Sequence, residues 1–483
     1  MKRSLDPYRA KRDPRRTPEP VPPASAGRRS PKGDADRFVI QEHHATALHW
    51  DFRLERDGVL VSWALPKGLP LDPKTNHLAV HTEDHPLEYL TFSGTIPAGE
   101  YGGGDVVLWD QGTYQTEKWR DDEVIVVLHG RRAEGRYVLF STRGNQWMIH
   151  RMDPAPAGYE PLPQNLSPML ATAGELPRDS DGWAFEFKWD GIRGLLAVDG
   201  GRVRATSRNG RDITESYPEL RALGEALGSE QVLLDAELVV LDDDGRPSFG
   251  RLQHRMQLHG AAVRRAAAQD PVSIVLFDLL HQNGESLLGL SYDERRSRLD
   301  KLGLADPRWA VTPAFVDEDP VGILRLAADI GMEGIVAKRR DSRYRPGVRS
   351  RDWRKVKAVK TQEVVVGGWT AGQGNRSGAF GALLCGVPDP DHAGHLRFVG
   401  KVGTGFDGAA LEGIVGALQR LRQDSTPFTD RLPTTVGKVA GWVRPDLVGE
   451  VRYSEWTRDG RLRHPVWRGL RPDKTASEVA REP

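Results

Sequence analysis

Between Arg37 and Asp153 the chain passes through eight short segments of strand character with no helical period among them. They read RFVIQEH, HWDFRLE, VLVSWAL, HLAVHT, DVVLWDQG, EVIVVLHG, RYVLFST and QWMIHRM. Turn signals such as RDGVL and the triplet Gly102-Gly103-Gly104 separate them. Many short strands joined by tight turns bury their apolar sides by closing into a barrel or stacking as a sandwich, so a small β-barrel or sandwich is expected over residues 36–153. The Pro-rich stretch around residues 154–165 reads as a linker. Beyond it, residues 166–361 mix strands with helical stretches (Glu294–Leu302, Gly322–Ile330). In residues 362–478 strand character returns around one helix with Leu411, Ile414, Val415, Leu418 and Leu421 on one face.

Charge is unevenly spread. Residues 1–35 carry ten basic and four acidic side chains and almost no large apolar ones, which predicts a disordered basic arm, either phosphate-attracting or merely solubilising. The single cysteine, Cys385, excludes an internal disulfide and a Cys-based zinc finger. With no apolar run of about 18 residues and no secretory leader, a cytoplasmic protein without membrane contact is expected. Gly403-Thr-Gly405-Phe-Asp-Gly408 fits a dinucleotide fingerprint, but no second strand ending in an acid follows, so it reads as a structural turn.

The segment AFEFKWDGIR, in extended form, sets Phe185, Phe187 and Trp189 on one face and Glu186, Lys188 and Asp190 on the other. A lysine acts as a nucleophile only when neutral, so such a lysine needs desolvation or nearby cations to lower its pKa. A surface strand of alternating charge would look the same. Further groups recur downstream: Arg208 in Ser-Arg-Asn-Gly, Asp235 and Glu237 on an apolar strand, Phe277-Asp278, and Glu333 through Lys338. Trp353, Lys355 and Lys357 then share a strand face, and Lys338–Lys360 holds eleven basic and two acidic residues, a density suited to phosphates.

In order, these segments resemble the motif series of ATP-dependent DNA ligases, within the covalent nucleotidyltransferases. Lys188-Trp-Asp190-Gly191-Ile-Arg193 matches the Lys-x-Asp-Gly-x-Arg signature, and Ser248-Phe-Gly-Arg-Leu-Gln253-His-Arg255 is similar to the DNA ligases rather than to capping enzymes. The resemblance covers about residues 163–478. It implies a multidomain α+β protein with an ATP-grasp-like nucleotidyltransferase (adenylation) core and a C-terminal OB-fold barrel. It implies that Lys188 attacks ATP to form lysyl-AMP. Glu186 would read adenine, Arg193 and Arg208 would hold ribose and phosphate, and Phe277 would stack on the base. Glu237 and Glu333 would contact sugar or metal, and Arg351, Lys355 and Lys357 would neutralise phosphates. Mg²⁺ or Mn²⁺ is implied. Arg468, Arg471, Asp473 and Lys474 in WRGLRPDK resemble the motif that swings over ATP.

In the N-terminal domain, IQEHHATALHWDFRL sets His49, Asp51 and Arg53 on one strand face, with His43 six residues before His49. Two imidazoles and a carboxylate suit Mn²⁺ or Zn²⁺, and an arginine beside the metal would hold a phosphate oxygen. His81 and His85 are further candidates. Through FSGTIPAGEYG this stretch resembles the 3′-phosphoesterase domain of bacterial ligase D, the end-joining repair ligase. That resemblance implies a Mn²⁺ site at His43, His49 and Asp51, and phosphate handling by Arg53, Lys67, His85 and Tyr89. His77 stands where an arginine is expected, and no polymerase module is recognised. The expected protein heals 3′ ends and seals nicked duplex and double-strand ends, as a monomer in the bacterial cytoplasm near the nucleoid, with Ku a candidate partner. An RNA ligase, a GTP-using capping enzyme or a DNA-end-binding scaffold are the alternatives. An NAD⁺-dependent ligase is disfavoured because one cysteine cannot build its Cys₄ module.

Overall fold

Apolar alternation in the first eight segments resolves into a closed barrel. The computed structural model describes residues 4–23 and 36–482, apart from Asp179, Gln257, Val359, residues 373–379, Asp407, Gly437, Glu455 and Arg458. Eight strands of the first sheet follow the order 37–44, 48–56, 59–65, 76–81, 146–151, 134–143, 123–129, 104–119, and pairing of Arg37–His44 with Gly104–Trp119 closes the ring. The short strand Gly94–Ile96 is appended to it. Phe38, Ile40, Trp50, Phe52, Leu54, Trp63 and Tyr137 fill the interior. Because side chains alternate across a strand, the intervening residues of the first two strands face outward.

Residues 4–23, expected within a disordered arm, instead have a defined course against this barrel. Asp6–Ala10 is a short helix, and Tyr8 is fully buried with Val39, Leu60, Tyr89 and Leu90. One aromatic anchor and the ion pairs of Arg12 supply what the composition hid. Residues 24–35 of that arm lie outside the described residues.

The central region holds two sheets. One has the order 170–173, 349–357, 334–339, 183–188, 314–316. The other has 202–207, 192–199, 232–240, 272–282, 309–311, 305–306, with 285–286 beside 272–282. Helix Leu220–Leu227 covers the second sheet, burying Leu220, Leu223 and Leu227. Leu234, Leu276 and Leu279 are wholly enclosed there, so truncating one to Ala costs about 2–5 kcal/mol. The two helices read from sequence form as Tyr292–Lys301, with a Ser291–Glu294 capping box, and Pro320–Asp329, capped by Asp319.

The C-terminal region is a six-stranded sheet in the order 396–402, 380–388, 361–371, 439–452, 422–423, with 466–470 beside 439–452. Helix Gly408–Arg420 packs on it through Ile414 and Leu418. The dinucleotide-like glycines serve this packing: Gly405 has φ +90°, and a Cβ there would lie 2.3 Å from the carbonyl oxygen of Trp467. No helix among the described residues is long and apolar enough to cross a membrane.

Candidate functional site

Two sites emerge, one on each side of the linker. On the barrel, antiparallel pairing sets His43 directly opposite His49 and Gln41 opposite Asp51. One ligand atom from each of His43, His49 and Asp51 lies within 4.8 Å of the others. Backbone carbonyls fix both imidazoles: His43 Nε2 donates to Gly102 O at 2.8 Å, and His49 Nδ1 donates to Ala47 O at 2.9 Å. The second ring nitrogens face Asp51, at 3.4 Å (His43 Nδ1) and 3.7 Å (His49 Nε2). Two imidazole nitrogens and a carboxylate converging from one strand pair are a donor set that fits a divalent metal.

Arg53 anchors the rest. Its Nη2 lies 3.0 Å from Asp51, Nε donates to Gln41 Oε1 and Nη1 to Ser62 Oγ, each at 2.9 Å. Three of its five N–H groups are thus used, leaving two for a phosphate oxygen. Asp51 is buried, yet Arg53 and the two histidines hold its carboxyl well below the ordinary range. Burial first, then Arg53 and Arg12, push His85 well below its usual value, so it is a neutral imidazole. Its Nδ1 donates to Glu83 O at 2.8 Å, and its Nε2 accepts from Arg12 Nη2 at 3.5 Å. His81 lies elsewhere, stacked on Trp147.

Sequence reasoning missed the arm's share in this site. Tyr89 donates to Glu19 Oε1 at 2.5 Å, Arg12 bridges Glu19 and Glu83, and the Tyr8 ring lies 5.0 Å from His85. The available signal was an isolated tyrosine and an acid inside a basic stretch. Two other expectations change. Lys67 and His77 do not join the metal group in any recorded contact among the described residues. They line a separate cavity with Asp199 and Arg202 of the adenylation region, and a Cβ on Gly200 would lie 3.1 Å from Lys67 Cα. Burial lowers the pKa of His77, whose Nδ1 donates to Gly68 O, so it does not substitute for an arginine's charge at neutral pH.

The second site is a cavity of about 510 Å³ between the two central sheets and the C-terminal region. Lys188 ends its strand there, ion-paired with Glu333, and Glu333 also faces Lys357 at 3.7 Å. Burial pushes the Lys188 ammonium down, but Glu333 and Asp190 outweigh it and the net pKa is raised. The lowered pKa expected of a nucleophile is therefore not present in this arrangement, because carboxylates rather than cations surround the amine. Glu237 is pushed up to about 8 by burial, against the pull of Lys188 and Arg193. It has no recorded hydrogen bond among the described residues. Glu237 and Glu333 both line the cavity, and such carboxyls are oxygen donors of the kind a divalent cation takes.

Other pocket residues are more committed than the motifs imply. Glu186 is buried, with Oε1 accepting from Tyr292 at 2.6 Å and Oε2 paired with Lys338 at 2.8 Å. Arg193 is held bidentate by Asp235 at 2.9 and 2.6 Å. Phe277 and Arg208 line the cavity, Arg208 facing Glu478 at 3.8 Å. Arg351 does not line it; it is exposed, and Arg349 takes that place. A register shift explains this: Ala171 pairs with Ser350 but Thr172 with Arg354, which breaks the alternation between them. Above the pocket, Arg468 pairs with Asp190 at 2.5 Å and Glu450 at 2.8 Å. Arg471 pairs with Asp473, and Lys474 with Glu363 at 2.8 Å. Asn209 donates to Asp473 O at 3.0 Å. The WRGLRPDK strand thus closes the site from the C-terminal side.

Comparison with known proteins agrees with this division. The family described as DNA Ligase D 3′-phosphoesterase domain matches residues 41–141. The ATP dependent DNA ligase domain matches 168–357, and the ATP dependent DNA ligase C terminal region 376–474. The chain is 50% identical over 480 residues to the multifunctional non-homologous end joining DNA repair protein LigD of Mycobacterium tuberculosis, covering 98% of this chain and 61% of that protein. It is 38% identical over 533 residues to LigD of Pseudomonas aeruginosa, again 98% of this chain and 61% of that one. The chain therefore spans about three fifths of the length of these relatives. Among solved structures, mycobacterial DNA ligase D complexed with ATP and MES is 45% identical. It matches with a TM-score of 0.53 over 66% of this chain and 99% of that one.

Proposed function

The chain belongs to the DNA ligase D family, and from that footing we propose that it heals DNA 3′ ends at the barrel site and seals strand breaks at the adenylation pocket. The observation that carries this is Lys188 in its Lys-x-Asp-Gly-x-Arg segment, set in a cavity with Glu237, Glu333, Lys355 and Lys357.

In the pocket, ATP is the substrate. Phe277 offers its face to the base, Glu186 keeps spare lone pairs for adenine, and Arg208 lies on the ribose–phosphate side. Lys355, Lys357 and Arg349 offset phosphate charge. The Lys188 amine must lose its proton to solvent before it can attack the α-phosphorus, so its ion pair with Glu333 must part first. A new N–P bond then forms as the bond to pyrophosphate breaks, leaving lysyl-AMP. Glu237 and Glu333 would hold a divalent cation, which supplies charge stabilisation for the departing phosphates. Arg468 and Arg471, in a C-terminal region we read as an OB-fold, close over the phosphates and exclude water.

On the barrel, His43, His49 and Asp51 would hold a Mn²⁺-type ion, which polarises the phosphate of a 3′-blocked strand. Arg53 donates its two spare N–H groups to the phosphate, and His85 stands beside it as a neutral imidazole held by Arg12 and Glu83. The two reactions connect chemically, since sealing consumes the 3′-hydroxyl that healing produces. The substrates are nicked duplex and double-strand ends in the bacterial cytoplasm, with the chain acting as a monomer and a Ku-type protein as candidate partner.

The test is labelling with α-labelled ATP or GTP. Label from ATP on wild type and none on Lys188→Ala is expected, with sealing of a pre-adenylated nick less affected. Label from GTP alone would point to a capping-type enzyme, and no label to a non-catalytic scaffold.

A further inference from the structure

The segment Val479–Glu482 enters the adenylation pocket from the C-terminal sheet, and its course is fixed at several points. Val479 is buried in the core of that sheet. The fully buried Gln362 grips the backbone twice: its Nε2 donates to Ala480 O, and its Oε1 accepts from Glu482 N, both at 2.9 Å. Trp456 Nε1 donates to Glu482 O at 3.2 Å. This clamp aims the Glu482 carboxylate into the cavity. Oε1 lies 2.9 Å from Lys355 Nζ, and Oε2 lies 2.8 Å from Lys357 Nζ. Lys355 has no other recorded ion pair among the described residues, while Lys357 also donates to Thr361 and faces Glu333.

Lys188, Lys355 and Lys357, three of the lysines that line the cavity, lie close enough to repel one another, and that concentration of positive charge is unstable without anions. Glu333 answers Lys188 and part of Lys357. Glu482 answers the rest. Burial works against its charge, but Lys357 and Lys355 outweigh burial and hold its pKa below the ordinary carboxylate value, so it is ionised at neutral pH. A carboxylate bridging two lysines occupies the place that two phosphate oxygens would take.

We propose that Glu482 is a resident counter-anion of the adenylation pocket, which yields Lys355 and Lys357 to the phosphates of ATP on entry and reclaims them when pyrophosphate leaves. The inference rests on reading the pocket as an ATP site. Its consequence is a bias in the first step. While Glu482 covers the two lysines, pyrophosphate has two fewer cations to re-enter on, and lysyl-AMP reverses more slowly. The cost is weaker capture of ATP, since every incoming triphosphate must displace a charge-assisted contact.

The experiment compares wild type with Glu482→Gln, Glu482→Ala and Glu482→Asp, all in the full chain. Gln keeps the backbone clamp and removes the charge. Lysyl-AMP formation is measured against ATP concentration, and discharge of preformed lysyl-AMP against inorganic pyrophosphate. For Gln and Ala, the KM for ATP and the half-maximal pyrophosphate concentration should each fall roughly tenfold, without a rise in kcat. Asp, which retains the carboxylate, should stay closer to wild type. Unchanged ATP and pyrophosphate dependence in variants that still label overturns the proposal. So does a raised KM in Gln and Ala, which would make Glu482 a structural clamp for closure. A wild type that takes no label from ATP is a different result, and it refutes the reading of the pocket itself.

Discussion

At the scale of single residues, environment decides what each group can do, and Glu237 shows it most clearly. Burial lifts its pKa from the ordinary 4.5 to about 8. Between those values the folded chain keeps a proton that the unfolded chain has released. Its contribution to stability is therefore complete below about pH 4.5, declines as the pH rises, and is gone above about pH 8. Glu237→Gln has no proton to lose, so the melting temperature of the variant minus that of wild type should increase from pH 5 to about 8 and then level off. A difference that stays flat would show that Glu237 is solvated rather than desolvated. Much of this pocket was legible from residue order alone, because a strand fixes which side chains share a face. The partners were not legible. Nothing in AFEFKWDGIR shows that Glu186 is claimed by Tyr292 and Lys338, or that Arg193 is held by Asp235, since those partners lie between 42 and 152 residues away. Arg351 was misplaced for a local reason, the broken alternation before Arg354.

At the scale of elements, the segment 4–23 carries the largest departure from sequence reasoning. Its composition is that of a disordered arm, but one buried tyrosine and the Arg12–Glu19–Glu83 ion pairs hold it over the barrel site. The strands were readable because their alternation is dense. The helices Leu220–Leu227 and Ala261–Gln269 were missed because each is only about two turns long. Glu19→Ala removes the acceptor of Tyr89 and the partner of Arg12, each a charge-assisted contact. Removal of 3′-phosphates should slow by roughly ten- to hundredfold, while sealing of a clean 3′-hydroxyl nick is unchanged. An equal loss of both activities would mean that the arm supports the fold rather than the site. The basic stretch Lys338–Lys360 makes a separate prediction. Arg345 is paired with Asp352, whereas Arg343 is exposed and has no recorded ion pair among the described residues. If Arg343 meets a phosphate, Arg343→Ala should lower the slope of log affinity against log salt by about 0.9, without slowing lysyl-AMP formation. An unchanged slope would make this a solvated strip.

At the scale of the whole molecule, the proposed function requires two chemistries on one chain, joined by a shared 3′ end. A nicked duplex bearing a 3′-phosphate tests this directly, with products resolved for wild type, His43→Ala and Lys188→Ala in the presence of Mn²⁺ and ATP. Wild type should give sealed strands. Lys188→Ala should stop at a 3′-hydroxyl nick, and His43→Ala should leave the 3′-phosphate in place while still sealing a 3′-hydroxyl nick. Mixing the two variants should restore sealing. Sealing of the 3′-phosphate nick by His43→Ala alone, or failure of the mixture to seal it, would contradict the account.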